Sequence, residues 1–127
     1  MAKKILAVDD DEGFLLASRH LLEAEGYEVA VALSAAEARQ RLKLIRPDLI
    51  LLDVLMPGED GFTFADNIAK DRELSRIPVV LVTAVAENPG QMMQAFGRDT
   101  GLTAVEILPK SQAAEHLVET VNSLLKA

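Results

Sequence analysis

The chain contains no cysteine. That excludes a disulfide framework and any thiolate metal site, and it is compatible with a reducing cytosol. The chain also lacks a basic balance: 13 Lys and Arg stand against 20 Asp and Glu, a formal net charge of −7. Nucleic-acid binding through a basic footprint is therefore not expected of this domain on its own. There is no apolar run long enough for a signal-peptide core or a membrane span. After Met1-Ala2-Lys3-Lys4, only Ile5-Leu6-Ala7-Val8 precedes acid. No linker, internal repeat or low-complexity segment is visible. The expectation is a soluble, cytoplasmic chain without membrane contact. Its 127 residues suit a single domain, 1–127, with no second or output domain. What is abundant is apolar: hydrophobic residues make up 50% of the chain, and that excess suits a sheet covered on both faces.

Lys4 to Val8 is a short apolar run that reads as a strand and ends in Asp9-Asp10-Asp11. Gly13 to Glu25 carries Phe14, Ala17, Ser18, Leu21 and Leu22 at helical spacing, and Gly26 is a good stop. Tyr27 to Ala32 reads as a second strand. Ser34-Ala35-Ala36-Glu37 is a capping box opening a helix to about Ile45, with Ala35, Ala38, Leu42 and Ile45 inward; Pro47 bars its continuation. Leu49 to Asp53 is a third strand, a continuous apolar run closed by a carboxylate and followed by Pro57-Gly58 and Asp60-Gly61, which turn the chain.

Phe64, Ala65, Ile68 and Ala69 mark a third helix, and Pro78 opens a strand over Val79 to Val82 that ends at Thr83-Ala84. Glu87 to Arg98 is a weaker helical stretch broken at its start by Asn88-Pro89-Gly90. Ala104 to Leu108 is a fifth strand. Ser111 is placed to cap a last helix with Ala114, Leu117, Val118, Val121, Leu124 and Leu125 on its apolar face. Five β-α units in strict alternation predict an α/β fold: a doubly wound, flavodoxin-like parallel sheet of five strands in the order 2-1-3-4-5.

In such a sheet the strand ends open on one edge, so Asp9-Asp10, Asp53, Thr83 and Lys110 are predicted to converge there. Two like charges about 4 Å apart repel by roughly 4 kcal/mol at an effective dielectric near 20. Three carboxylates together therefore call for a positive partner. Mg²⁺, which takes a few carboxylates plus waters and phosphate oxygens, suits them. Lys110 adds a point charge for phosphate and Thr83 a hydroxyl donor. A carboxylate nucleophile, a metal, a lysine and a hydroxyl together suit phosphoryl transfer to an aspartate.

Taken together, Ile5-Leu6-Ala7-Val8-Asp9-Asp10-Asp11, Asp53-Val54-Leu55-Met56-Pro57 with Gly61, Val82-Thr83-Ala84 and Leu108-Pro109-Lys110 resemble the receiver domain of two-component response regulators over essentially the whole chain. The resemblance implies that Asp53 accepts a phosphoryl group from a sensor histidine kinase or a histidine phosphotransfer protein. It implies that Asp10, Asp53 and the Leu55 backbone carbonyl bind Mg²⁺, with Asp9 acting through water, and that Thr83 and Lys110 contact the phosphoryl oxygens. Phosphorylation would shift a pre-existing equilibrium and alter the surface formed by the weak helical stretch, the last strand and the last helix, which a downstream protein target reads.

Three departures accompany the resemblance. Ile107 stands where an aromatic is usual, Ser111 follows the lysine in place of proline, and the stretch from Thr83 to Lys110 is longer than usual. Leu55 and Val85, both apolar, are expected to slow self-dephosphorylation. The competing functions are a Mg²⁺-dependent aspartyl-phosphate phosphohydrolase, against which Leu55 stands because such enzymes carry a second acid there, and a degenerate receiver that binds partners without phosphorylation. Beyond its own phosphoryl transfer and slow dephosphorylation, no enzyme activity is expected.

Overall fold

The computed structural model describes residues 2–53, 61–83 and 105–125. Its strands are β1 (Lys4–Val8), β2 (Glu28–Ala32), β3 (Leu49–Leu52), β4 (Val79–Thr83) and β5 (Val105–Pro109). The α-helices among the described residues are α1 (Glu12–Glu23), α2 (Ala35–Leu44), α3 (Gly61–Lys70) and α4 (Ala113–Leu125), with 3-10 turns at Leu74–Arg76 and Lys110–Gln112. The strands form one sheet in the order β2-β1-β3-β4-β5, every neighbour parallel, as the alternating pattern predicts.

The sheet is covered on both faces because its central strands carry unbroken apolar runs, Ile5 to Val8, Leu49 to Leu52 and Val79 to Val82. Leu6, Val8, Ile50, Leu52, Val79 and Leu81 pack against Ala35, Ala38 and Leu42 of α2 and Phe64, Ala65 and Ile68 of α3. The alternate residues Ile5, Ala7, Leu49, Leu51, Val80 and Val82 pack against Leu15 and Leu22 of α1 and Ala113, Leu117 and Val121 of α4. A fully buried Leu, Ile or Val contributes about 1.5–3 kcal/mol.

Local chemistry sets the helix ends. Asp11 caps α1, its carboxylate accepting from Phe14 N at 3.1 Å. Ser34 caps α2 by accepting from Glu37 N at 3.1 Å, where the capping box places it. Gly26 joins α1 to β2 at φ +92°, a left-handed conformation that glycine adopts freely. Tyr27 is buried just before β2 and its hydroxyl donates to Asn122 Oδ1, tying the entry of β2 to α4.

Two helices differ from the pattern reading. On α1, Ser18 and Leu22 face inward as their spacing predicts and Leu15 joins them, while Ala17 is exposed. Ser111 does not cap α4. It lies inside the 3-10 turn Lys110–Gln112, which shifts the helix so that Ala113 is buried and Ala114 exposed. Leu55, Val85, the helical stretch Glu87 to Arg98 with Asn88-Pro89-Gly90, and Met92, Met93 and Phe96 lie outside the described residues.

Candidate functional site

The parallel register brings the site together. Val8 and Leu52 stand opposite each other, so the residues that follow them, Asp9 and Asp53, leave the sheet side by side. Their backbones extend the ladder: Asp53 N donates to Val8 O at 2.9 Å and Asp9 N to Ala32 O at 3.1 Å. Both side chains are buried, Asp9 at 2% and Asp53 at 4% exposure. Asp10 is exposed, yet Asp9, Asp10 and Asp53 each offer a carboxylate oxygen within 4.8 Å of the other two. Thr83 ends β4 opposite Pro109, the last residue of β5, and Lys110 follows directly in the 3-10 turn.

Lys110 reaches back over the two buried acids. Its Nζ lies 2.8 Å from Asp9 Oδ2 and 3.3 Å from Asp53 Oδ2, where it donates a hydrogen bond. Burial drives the Asp9 carboxyl up from 3.8 to about 6. The Lys110 ammonium and the Asp11 amide, which donates to Asp9 Oδ1 at 2.9 Å, pull the other way, and the Asp53 charge adds to the rise. Burial alone would lower the Lys110 pKa, but the two carboxylates outweigh it and the ammonium is held charged. At neutral pH the site therefore holds three acids and a fixed cation.

The donor set fits a hard divalent cation. All three acids offer oxygen, the ligand that Mg²⁺ prefers. Asp9 Oδ2 is buried, and the Lys110 ammonium at 2.8 Å is its partner among the described residues. A single cation could reach all three acids, whose oxygens lie within 4.8 Å of one another.

One contact could not be read from the pattern. The Phe14 ring, counted there only as part of an apolar helix face, lies under the Lys110 ammonium at 4.8 Å from its centroid. Its position in the first turn of α1, three residues after the cap, is the signal that places it at the carboxyl edge of the sheet. Ile107, at the position where an aromatic is usual, is half-buried against the cluster that contains Leu81 and Phe64. His20 and His116 are exposed, and His116 lies beside Glu115 and Glu119 on the surface of α4. Among the described residues, no helix is long and apolar enough to cross a membrane.

Comparison with known proteins agrees with this geometry. The profile of the response regulator receiver domain matches residues 5–122. The chain is 32% identical over 126 residues to the phosphate regulon transcriptional regulatory protein PhoB of Rhizobium meliloti, covering 99% of this chain and 53% of that protein. It is 31% identical over 122 residues to protein PilH of Pseudomonas aeruginosa, covering 96% of this chain and 97% of PilH. It thus spans about half the length of the first relative and nearly all of the second. Among solved structures, the chemotaxis response regulator CheY4 of Vibrio cholerae superposes with a TM-score of 0.85 at 30% identity, over 98% of this chain and 100% of that one.

Proposed function

The chain belongs to the response regulator receiver domain family, the phosphorylation-dependent signalling switch of two-component systems, and from that premise we propose that Asp53 is its phosphoryl acceptor. The observation that carries this reading is the placement of Asp53. It is a buried carboxylate at the end of β3, grouped with Asp9 and Asp10 and 3.3 Å from the Lys110 ammonium. Receiver domains bind Mg²⁺ at such an acidic pocket. Here Asp10 and Asp53 would hold the ion, with the Leu55 carbonyl as the third protein ligand and Asp9 acting through water. The bound ion supplies neutralisation of the charge on the transferring phosphoryl group.

The chain's own groups do the rest. A carboxylate oxygen of Asp53 attacks phosphorus in line, the P–N bond to the donor's phosphohistidine breaks, and the imidazole leaves with the electron pair. Lys110 and the Thr83 hydroxyl take the phosphoryl oxygens, so Lys110 exchanges its carboxylate partners for phosphate ones. Because little covalent help is needed, positioning and charge are the main contributions. The donor would be a sensor histidine kinase or a histidine phosphotransfer protein, in the cytoplasm, and the reader a downstream protein target. Residues 1–127 would act as one receiver module.

Incubation with acetyl phosphate and Mg²⁺ should add one phosphoryl group by intact-protein mass spectrometry, and Asp53→Asn should abolish it. An unmodified parent chain, or an adduct that persists in Asp53→Asn, would sink the assignment.

A further inference from the structure

We propose that Phe14 is a positioning residue for Lys110. Its ring face clamps the ammonium over Asp9 and Asp53, so that the rate of phosphoryl transfer depends on the ring. The inference rests on the reading of Asp53 as acceptor.

A lysine ammonium sits on a flexible four-carbon stem and has no fixed direction of its own. Lys110 is nevertheless confined on three sides. Asp9 Oδ2 lies at 2.8 Å, Asp53 Oδ2 at 3.3 Å, and the Phe14 ring centroid at 4.8 Å. The carboxylates supply attraction, and the ring closes the remaining side with the negative face of its quadrupole. With the Lys110 side chain only 19% exposed, that attraction is little screened by water.

The backbone that carries the ring is itself held. Phe14 N donates to the Asp11 carboxylate at 3.1 Å, and Asp11 N donates to Asp9 Oδ1 at 2.9 Å. The contacts form a closed circuit from Asp9 through Asp11 and Phe14 to Lys110 and back to Asp9. The start of α1 is thereby coupled to a residue that follows β5. When the phosphoryl group arrives, the ammonium has only to shift from carboxylate oxygens to phosphoryl oxygens at the same place, with the ring still behind it.

Phe14 also packs beside the apolar cluster under α1, so a purely structural role must be separated from a positioning one. Phe14→Leu keeps an apolar side chain and removes the quadrupole, whereas Phe14→Tyr keeps the ring. With acetyl phosphate and Mg²⁺, Phe14→Leu should slow phosphorylation about threefold to tenfold, in the range of a partly desolvated cation–π contact. Phe14→Tyr should stay within about twofold of the parent. In a Lys110→Ala background, Phe14→Leu should have no further effect. Equal slowing in both backgrounds, or no slowing at all, overturns the proposal.

A second readout does not need phosphorylation. In carbon–proton NMR spectra the ε-methylene protons of Lys110 should lie upfield of those of exposed lysines, shielded by the ring, and should return to the common position in Phe14→Leu. An unshifted Lys110 in the parent overturns the clamp. A shifted Lys110 in a chain that takes no phosphoryl group supports the clamp and counts against Asp53 as acceptor instead.

Discussion

Replacing Lys110 with methionine should destabilise the protein in a strongly pH-dependent way. At an effective dielectric near 20, the ammonium at 2.8 Å from Asp9 and 3.3 Å from Asp53 attracts each with roughly 5–6 kcal/mol before desolvation is counted. Removing one partner of a buried ion pair commonly costs about 3–5 kcal/mol. Asp9, however, has an escape, because its carboxyl already titrates near about 6. Without Lys110 it can take a proton, and the loss through Asp9 cannot exceed the free energy of its ionisation in the parent. That limit is about half a kcal/mol at pH 6, between about 1 and 2 at pH 7, and about 3 at pH 8.5, since each pH unit is worth about 1.4 kcal/mol.

The direction follows from the raised carboxyl. In the parent, the native state holds the Asp9 proton more tightly than the unfolded chain, so stability from this group is present at low pH and is lost as pH rises from 3.8 to about 6, then levels off. In Lys110→Met the native carboxyl titrates higher still, and the loss continues past neutrality. Urea unfolding followed by circular dichroism, with a chelator present, should therefore show a difference between parent and variant that grows from pH 6 to pH 8.5. The double variant Asp9→Asn with Lys110→Met should lose that slope. A difference that is the same at every pH would refute the reasoning, because it would mean that Asp9 does not titrate against Lys110.

Two further outcomes are expected. Mg²⁺ at 100 times its dissociation constant should stabilise the fold by about 2.7 kcal/mol and raise Tm by several degrees. In calorimetric scans the effect should shrink below about pH 6, where Asp9 takes up its proton and the negative charge that draws the ion falls. Gly26→Ala should cost about 1–2 kcal/mol by urea titration; an added Cβ meets nothing within 4 Å, so the penalty comes from the left-handed backbone at φ +92° and not from a clash. A neutral Gly26→Ala would show that the α1–β2 connection relaxes at little cost.

The carboxylates were legible in the sequence because each closes an apolar run. Asp9 after Ile5 to Val8 and Asp53 after Leu49 to Leu52 have no place in a sheet buried on both faces unless they stand at its edge. Once parallel order is inferred, their proximity follows from register alone: Val8 opposite Leu52 sets Asp9 beside Asp53. The helix faces were less legible. Ser18, Leu22, Leu117 and Val121 fell on the buried faces as their spacing predicts, while the small residues near the helix starts did not: Ala17 and Ala114 are exposed, and Leu15 and Ala113 are buried instead.

The Phe14–Lys110 contact was illegible for a stronger reason. Its two members are far apart in the chain, one was explained by core packing, and cation–π pairs leave no periodic trace. The contact bears on what the carboxylates can do. Two buried acids side by side would repel, and one would be driven to hold a proton. With Lys110 held over both, Asp9 still gives up its proton below neutrality despite its burial. If Lys110 takes the phosphoryl oxygens as proposed, the ammonium that makes the acids tolerable in the folded chain also serves the transfer, and stability and phosphoryl transfer draw on the same charge. A substitution that loosens Lys110 should therefore register in both the unfolding curve and the phosphorylation rate, whereas one that only thins the core should register in the first.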